Sequence, residues 1–140
     1  MSFLSNFFGS KRSNLEDEEL GYFTLVNKKE KAIWKGASNI LQTNVTTFVS
    51  GTKTHLDDSE RANLLSLINS ADIELEMDKA LKEEFENADK KYLTWKDHFD
   101  CISVSTLNNE TIITFEEKDS LSHFNVFVQN GKAVGISIDS

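Results

Sequence analysis

Apolar and polar residues alternate in the first and last thirds of the chain, and between them the spacing turns helical. Phe23 and Leu25 share one side of Gly21–Val26. Asn27-Lys28-Lys29-Glu30 supplies a turn, and Lys31–Ala37 returns with Ile33 and Trp34, so the pattern reads as a β-hairpin. Ser38-Asn39 reads as the next turn. Asn44–Gly51, rich in Thr and Val, reads as a third strand, because β-branched side chains suit a pleated surface. Asp57 then stands where a helix cap belongs, with Glu60 three residues on, as in a capping box. Leu64, Leu65 and Ile68 repeat at helical spacing. Asn69-Ser70 interrupts the run, and Ser70 is placed to cap a second helix. Met77, Leu81, Phe85, Ala88 and Tyr92 carry the stripe onward, and the opposite face bears Asp78, Lys82, Glu83, Glu86 and Asp89.

Beyond Trp95 the period returns to two. Ile102 and Val104 align in Cys101–Leu107, Asn108-Asn109 makes a turn, and Ile113 and Phe115 align in Thr111–Phe115. Phe124, Val126 and Val128 share one face of a further strand. Asn130-Gly131 is a strong signal for a type I′ turn, which needs positive φ at both central residues. Val134, Ile136 and Ile138 mark the last strand. Grouped strands of this kind predict an α+β fold. The expected sheet is antiparallel, with about six to seven strands. Two helices, or one broken helix, stand between a three-stranded N-terminal part and a four-stranded C-terminal meander. Since each strand is apolar mainly on one side, the helices should cover one face of the sheet. Residues 1–19 read as a separate segment, apolar then acidic, with Phe3, Leu4, Phe7 and Phe8 at helical spacing; residues 20–140 read as one domain.

Charge sharpens this picture. The net charge of −8 is not spread evenly. Asp57–Asp89 holds eleven acids against three bases (Arg61, Lys79, Lys82), and this excess equals the net charge of the whole chain. Such a surface should repel nucleic acid and attract basic surfaces; its plainer reading is a solvated helix face. The lone cysteine, Cys101, cannot form an internal disulfide, which fits a reducing, cytoplasmic setting. No run approaches the roughly 18 apolar residues of a membrane span, so stable membrane insertion is not expected.

Candidate chemistry is sparse. His55 lies beside Asp57 and Asp58, and His98 lies near Asp100 and Cys101, yet neither group has the paired spacing of a zinc site. His123 reads as a solvent-facing strand residue. Cys101 would need an activating histidine to act as a nucleophile and reads more simply as a small buried residue. Glu116 and Glu117 point to opposite faces of a strand and cannot work as a direct acid/base pair. No phosphate loop, dinucleotide fingerprint or nucleophile elbow occurs. The expectation is a protein without catalytic residues, metal or cofactor. Trp34 and Trp95 read as core residues, with interface anchors as the alternative.

Gly21-Tyr22-Phe23-Thr24-Leu25, Trp34-Lys35-Gly36, the closing Phe124-Asn125-Val126-Phe127-Val128 and Asn130-Gly131-Lys132 together carry a resemblance. Over about Leu20–Asp139 the chain resembles small uncharacterised bacterial α+β domains, some of which look like toxin-neutralising immunity proteins. That resemblance implies a protein-binding role. The expected partner is then another protein, such as a basic toxin domain, engaged through Asp78, Glu83, Glu86 and Asp89. The competing expectation is a membrane- or assembly-associated accessory protein that uses the Phe-rich N-terminal segment.

Overall fold

The computed structural model describes residues 13–27 and 31–140. Eight strands form one sheet whose spatial order is the order of the chain: β1 (Asn14–Asp17), β2 (Gly21–Asn27), β3 (Ala32–Ile40), β4 (Thr43–Gly51), β5 (Phe99–Leu107), β6 (Glu110–Glu117), β7 (His123–Gln129) and β8 (Lys132–Asp139). Between β4 and β5 lie three helices, α1 (Asp58–Ile68), α2 (Ile73–Asn87) and the single turn α3 (Trp95–His98). All neighbours pair antiparallel except β4 and β5, which run parallel with Thr46 opposite Ser103 and Val49 opposite Thr106. A parallel pair needs a long crossover, and the helical segment supplies it. The fold is thus α+β, as the grouping of strands implies, with a mostly antiparallel sheet.

The helices cover one face. Phe23, Leu25, Trp34, Val45, Val49, Val104, Ile113, Phe115, Phe124 and Val126 point into that side, against Leu64, Leu67, Ile73, Met77, Leu81 and Phe85. A fully buried side chain of this kind contributes roughly 1.5–3 kcal/mol. Trp34 is buried and its indole Nε1 donates to the Thr52 carbonyl at 2.8 Å. Gly36 leaves room for the Phe23 ring, which would lie 2.7 Å from a Cβ at that position. The opposite face carries half-buried Thr46, Phe48, Ile112, Thr114, Asn125 and Phe127, and none of α1, α2 and α3 lies over it.

Several details depart from the sequence pattern. Residues 14–17, read as part of a separate segment, form β1 and pair with β2. The first part of the sheet therefore has four strands, and the whole has eight. The turn after β3 is not Ser38-Asn39 but Leu41-Gln42, both at positive φ. Leu41 is buried. Burying it offsets the roughly 1–2 kcal/mol cost of a left-handed non-glycine residue. Asp57 does cap α1 by accepting from the Ser59 and Glu60 amides, but Glu60 does not complete a capping box. Its side chain turns inward instead. α2 ends at Asn87, with Asp89 left-handed and the Lys90 amide donating back to the Phe85 carbonyl at 2.9 Å. Tyr92 is therefore beyond the helix, and it returns to pack edge-on against Phe85 at 5.6 Å. Bulges at Ile102 and near Val134 shift the alternation. As a result Cys101 and Val104 share the core face without Ile102, and Val134 is exposed.

Candidate functional site

The Asp57–Asp89 segment supplies α1, α2 and their corner, and its acids have different fates. Asp78 is tied down. Its Oδ1 accepts from the Tyr92 hydroxyl at 2.6 Å and from the Trp95 amide at 2.9 Å. Burial, and then this bond, push the Tyr92 hydroxyl above the ordinary phenol range. Glu74 accepts from the Trp95 indole Nε1 at 3.0 Å. Glu76 accepts from the Ala133 amide at 3.2 Å. Glu60 is buried and accepts from the Asn109 amide at 2.8 Å, from Asn63 at 3.2 Å and from the Ser50 hydroxyl at 3.4 Å. It fastens the β5–β6 turn to α1. Glu83, Glu86 and Asp89 are exposed and make no side-chain hydrogen bond or ion pair with other described residues.

The α2–α3 corner is built by a local signal. Thr94 and Asp97 form the capping box that Asp57 and Glu60 do not: Asp97 Oδ2 accepts from the Thr94 hydroxyl at 2.7 Å and from the Thr94 amide at 3.1 Å. The Thr94 hydroxyl holds the Asp97 carboxyl below the usual carboxylate range. This fixes α3 and sinks Trp95 against Phe115 at 5.6 Å. His98 stacks 4.8 Å from Phe85 and 5.2 Å from Tyr92, and its Nε2 accepts from the Leu93 amide at 3.0 Å. Between α2 and α3 lies a cleft of about 390 Å³ walled by Glu74, Leu75, Asp78, Thr94, Trp95 and Lys96. Leu75 is 71% exposed, and Leu93, just before Thr94, is 62% exposed.

Of the four acids expected to bind a partner, Asp78 thus lines this cleft while also serving as a structural brace. Glu86 continues from Leu75 along the outer side of α2, with Lys79 and Lys82 interleaved, Asp89 stands in the turn beyond the helix end, and Glu83 lies off to one flank. The structure does not gather all four into one patch. Leu75 and Leu93 escape the sequence pattern. Leu75 does leave a trace, being an apolar residue between Glu74 and Glu76 on the polar side of the stripe.

The other candidate residues are placed as follows. Cys101 is buried, and burial pushes its thiol up to about 12, far from a thiolate at neutral pH. His55 hydrogen-bonds Thr54 through Nδ1 at 2.7 Å on an exposed loop. His123 Nε2 lies 3.1 Å from Glu116 on the face of the sheet opposite α1 and α2. Glu117 faces inward, close to Lys90 and Ser120, so the two neighbouring glutamates do point opposite ways. Among the described residues no group of three His, Cys, Asp or Glu side chains is arranged to hold a metal ion. Among them, too, no helix is long and apolar enough to cross a membrane. Phe3, Leu4, Phe7 and Phe8 lie outside the described residues. Compared with models of known families, with curated proteins and with solved structures, the chain matches none.

Proposed function

We propose that this protein is a non-catalytic protein-binding domain, of the immunity type, that neutralises a basic partner through the outer side of α2 and the α2–α3 cleft. The observation that carries this reading is the combination at that surface. Exposed Leu75 borders a cleft with Glu74 and Asp78 in its wall, and farther along, Glu86 and, past the helix end, Asp89 have no side-chain partner among the described residues. A Lys or Arg side chain entering the cleft would lay its aliphatic stem on Leu75 and Trp95 and bring its charge to the carboxylates. The distal acids would steer the encounter. Lys79 and Lys82 keep the surface from being uniformly negative, so fit in the cleft, rather than charge alone, sets the specificity.

The test uses the product of the gene adjacent to this one as the binding partner in surface plasmon resonance, which reads both rates. Glu86→Lys combined with Asp89→Lys is expected to weaken binding by roughly tenfold or more, mostly in the association rate and most clearly at low salt. Leu75→Ala should raise the dissociation rate. Binding that is unchanged by all three substitutions would sink the reading.

A further inference from the structure

β8 is an outer strand of the sheet, and its outer edge, with no described strand paired to it, runs through Lys132–Asp139. Long apolar edges are ordinarily blunted by charge, proline or a covering element. β8 carries charge only at its ends, has no proline, and leaves Val134 60% and Ile138 45% exposed. Two guards stand at its start, the bulge near Val134 and a carboxylate from α2. Glu76 Oε1 accepts the Ala133 amide at 3.2 Å, and Lys132 Nζ lies 3.9 Å from Glu76 Oε2, so the first residues of the edge are capped. Farther along, residues 135–139 have no such cap among the described residues.

α2 runs beside this strand. Glu76 meets its start, and Phe85 packs 6.3 Å from Phe124, the residue paired with Ile138 near its end. Helical periodicity puts Ala80, Glu83, Glu84 and Asn87 on the same flank as Glu76. Glu83 and Glu84 make no side-chain hydrogen bond or ion pair with other described residues. That spacing turns Glu83 and Glu84 toward the open half of the edge, with Lys79 one turn before Glu83.

We infer that this edge accepts one extended strand from the protein partner, with Lys or Arg on the side of that strand that faces α2. Main-chain hydrogen bonds to β8 would supply affinity, and the glutamates would select for basic residues at alternate positions. A second copy of this chain fits less well. Antiparallel pairing of two β8 edges would bring Glu83 and Glu84 of both copies toward one another across the two-fold axis, setting like charges together. The inference rests on the basic protein partner proposed above and adds a mode of engagement on a different flank of α2.

The probe is a synthetic peptide alternating Thr and Lys, matched to the eight residues of β8, with an alternating Thr and Glu peptide beside it. At moderate salt the Lys peptide is expected to bind saturably and to slow exchange of the amides in 135–139, while the Glu peptide does neither. Glu83→Lys with Glu84→Lys should weaken binding by roughly tenfold, and Glu86→Lys with Asp89→Lys by less than about threefold. Two further peptides carry N-methyl groups on every Lys amide or on every Thr amide. Successive amides of a strand point to opposite edges, so one methylated peptide should lose binding and the other keep it. Equal binding by both, protection elsewhere, or no saturable binding at millimolar peptide overturns strand addition. If the adjacent gene product then still responds to Glu86→Lys with Asp89→Lys, the functional reading stands without it.

Discussion

Asp17 shows how much of this molecule depends on pairs far apart in the chain. Arg61 Nε lies 2.6 Å from its Oδ2 and Nη2 lies 3.1 Å from its Oδ1, while the amides of Glu19 and Leu20 each donate to Oδ1 at 2.9 Å. The Arg61 guanidinium, reinforced by those amides, holds the Asp17 carboxyl at about 2. A carboxyl depressed on folding stabilises the native state above its unfolded pKa, and that contribution is lost as pH falls through the folded value. The window here runs from about pH 4 down to about pH 2. Asp17→Asn is expected to cost roughly 1–2 kcal/mol at pH 7, less than the full shift would give because the outer side of the pair faces water. Urea denaturation across this range should show the wild-type advantage shrinking toward zero by pH 2. A difference that stays constant with pH would refute the assignment. Nothing local in the sequence announces this pair, because Asp17 and Arg61 meet only once β1 joins the sheet. The same is true of Glu60, which reads as a helix-start acid and is in fact buried on the Asn109 amide. Trp34 and Trp95 were legible as core residues because large apolar bodies are rarely left exposed, and both indoles find acceptors.

Among the elements, the strands with plain alternation were readable and the places where alternation breaks were not. Phe124, Val126 and Val128 fall on the core side as their period requires, and Asn130-Gly131 makes its turn with both residues at positive φ. The bulges in β5 and β8 insert one residue each, and a period of two then points the wrong way on one side of the insertion. β1 is only four residues long with two acids in it, too short for any periodicity to register. The single turn of α3 is likewise too short for periodicity to register, although its Thr94–Asp97 box is a sequence signal of the kind that Asp57 and Glu60 also offer. That box matters because α3 forms a wall of the cleft. Thr94→Ala removes the hydroxyl that donates to Asp97 and should cost roughly 1 kcal/mol. It should also loosen Trp95, moving its fluorescence to longer wavelength in a Trp34→Phe background. An unchanged spectrum and stability would show that Trp95 is held by Glu74 and Asp78 alone.

On the scale of the whole molecule, one core joins what the chain lays down as two four-stranded halves. The parallel pairing of β4 with β5 is the seam between those halves, and Leu64 and Leu67 of α1 lie in the same core as Val49 and Val104. Sequence grouping foretold the two halves and the intervening helices, but a parallel seam can be read only once the crossover is known to return to the edge of β4. A shared core of this kind predicts that neither half is stable alone. Trp34 stands in the first half and Trp95 beside the second, so each reports on its own side. With Trp34→Phe and Trp95→Phe as single-tryptophan variants, urea unfolding followed by fluorescence should give the same midpoint, within experimental error, as far-ultraviolet circular dichroism of the same variant. Were the seam weak, the Trp34 transition would separate from that of the circular dichroism, because the β1–β4 half would melt first. Coincident transitions would instead mean that the helical crossover and the seam form together. The cleft and the β8 edge would then be presented to a partner on a single cooperative body.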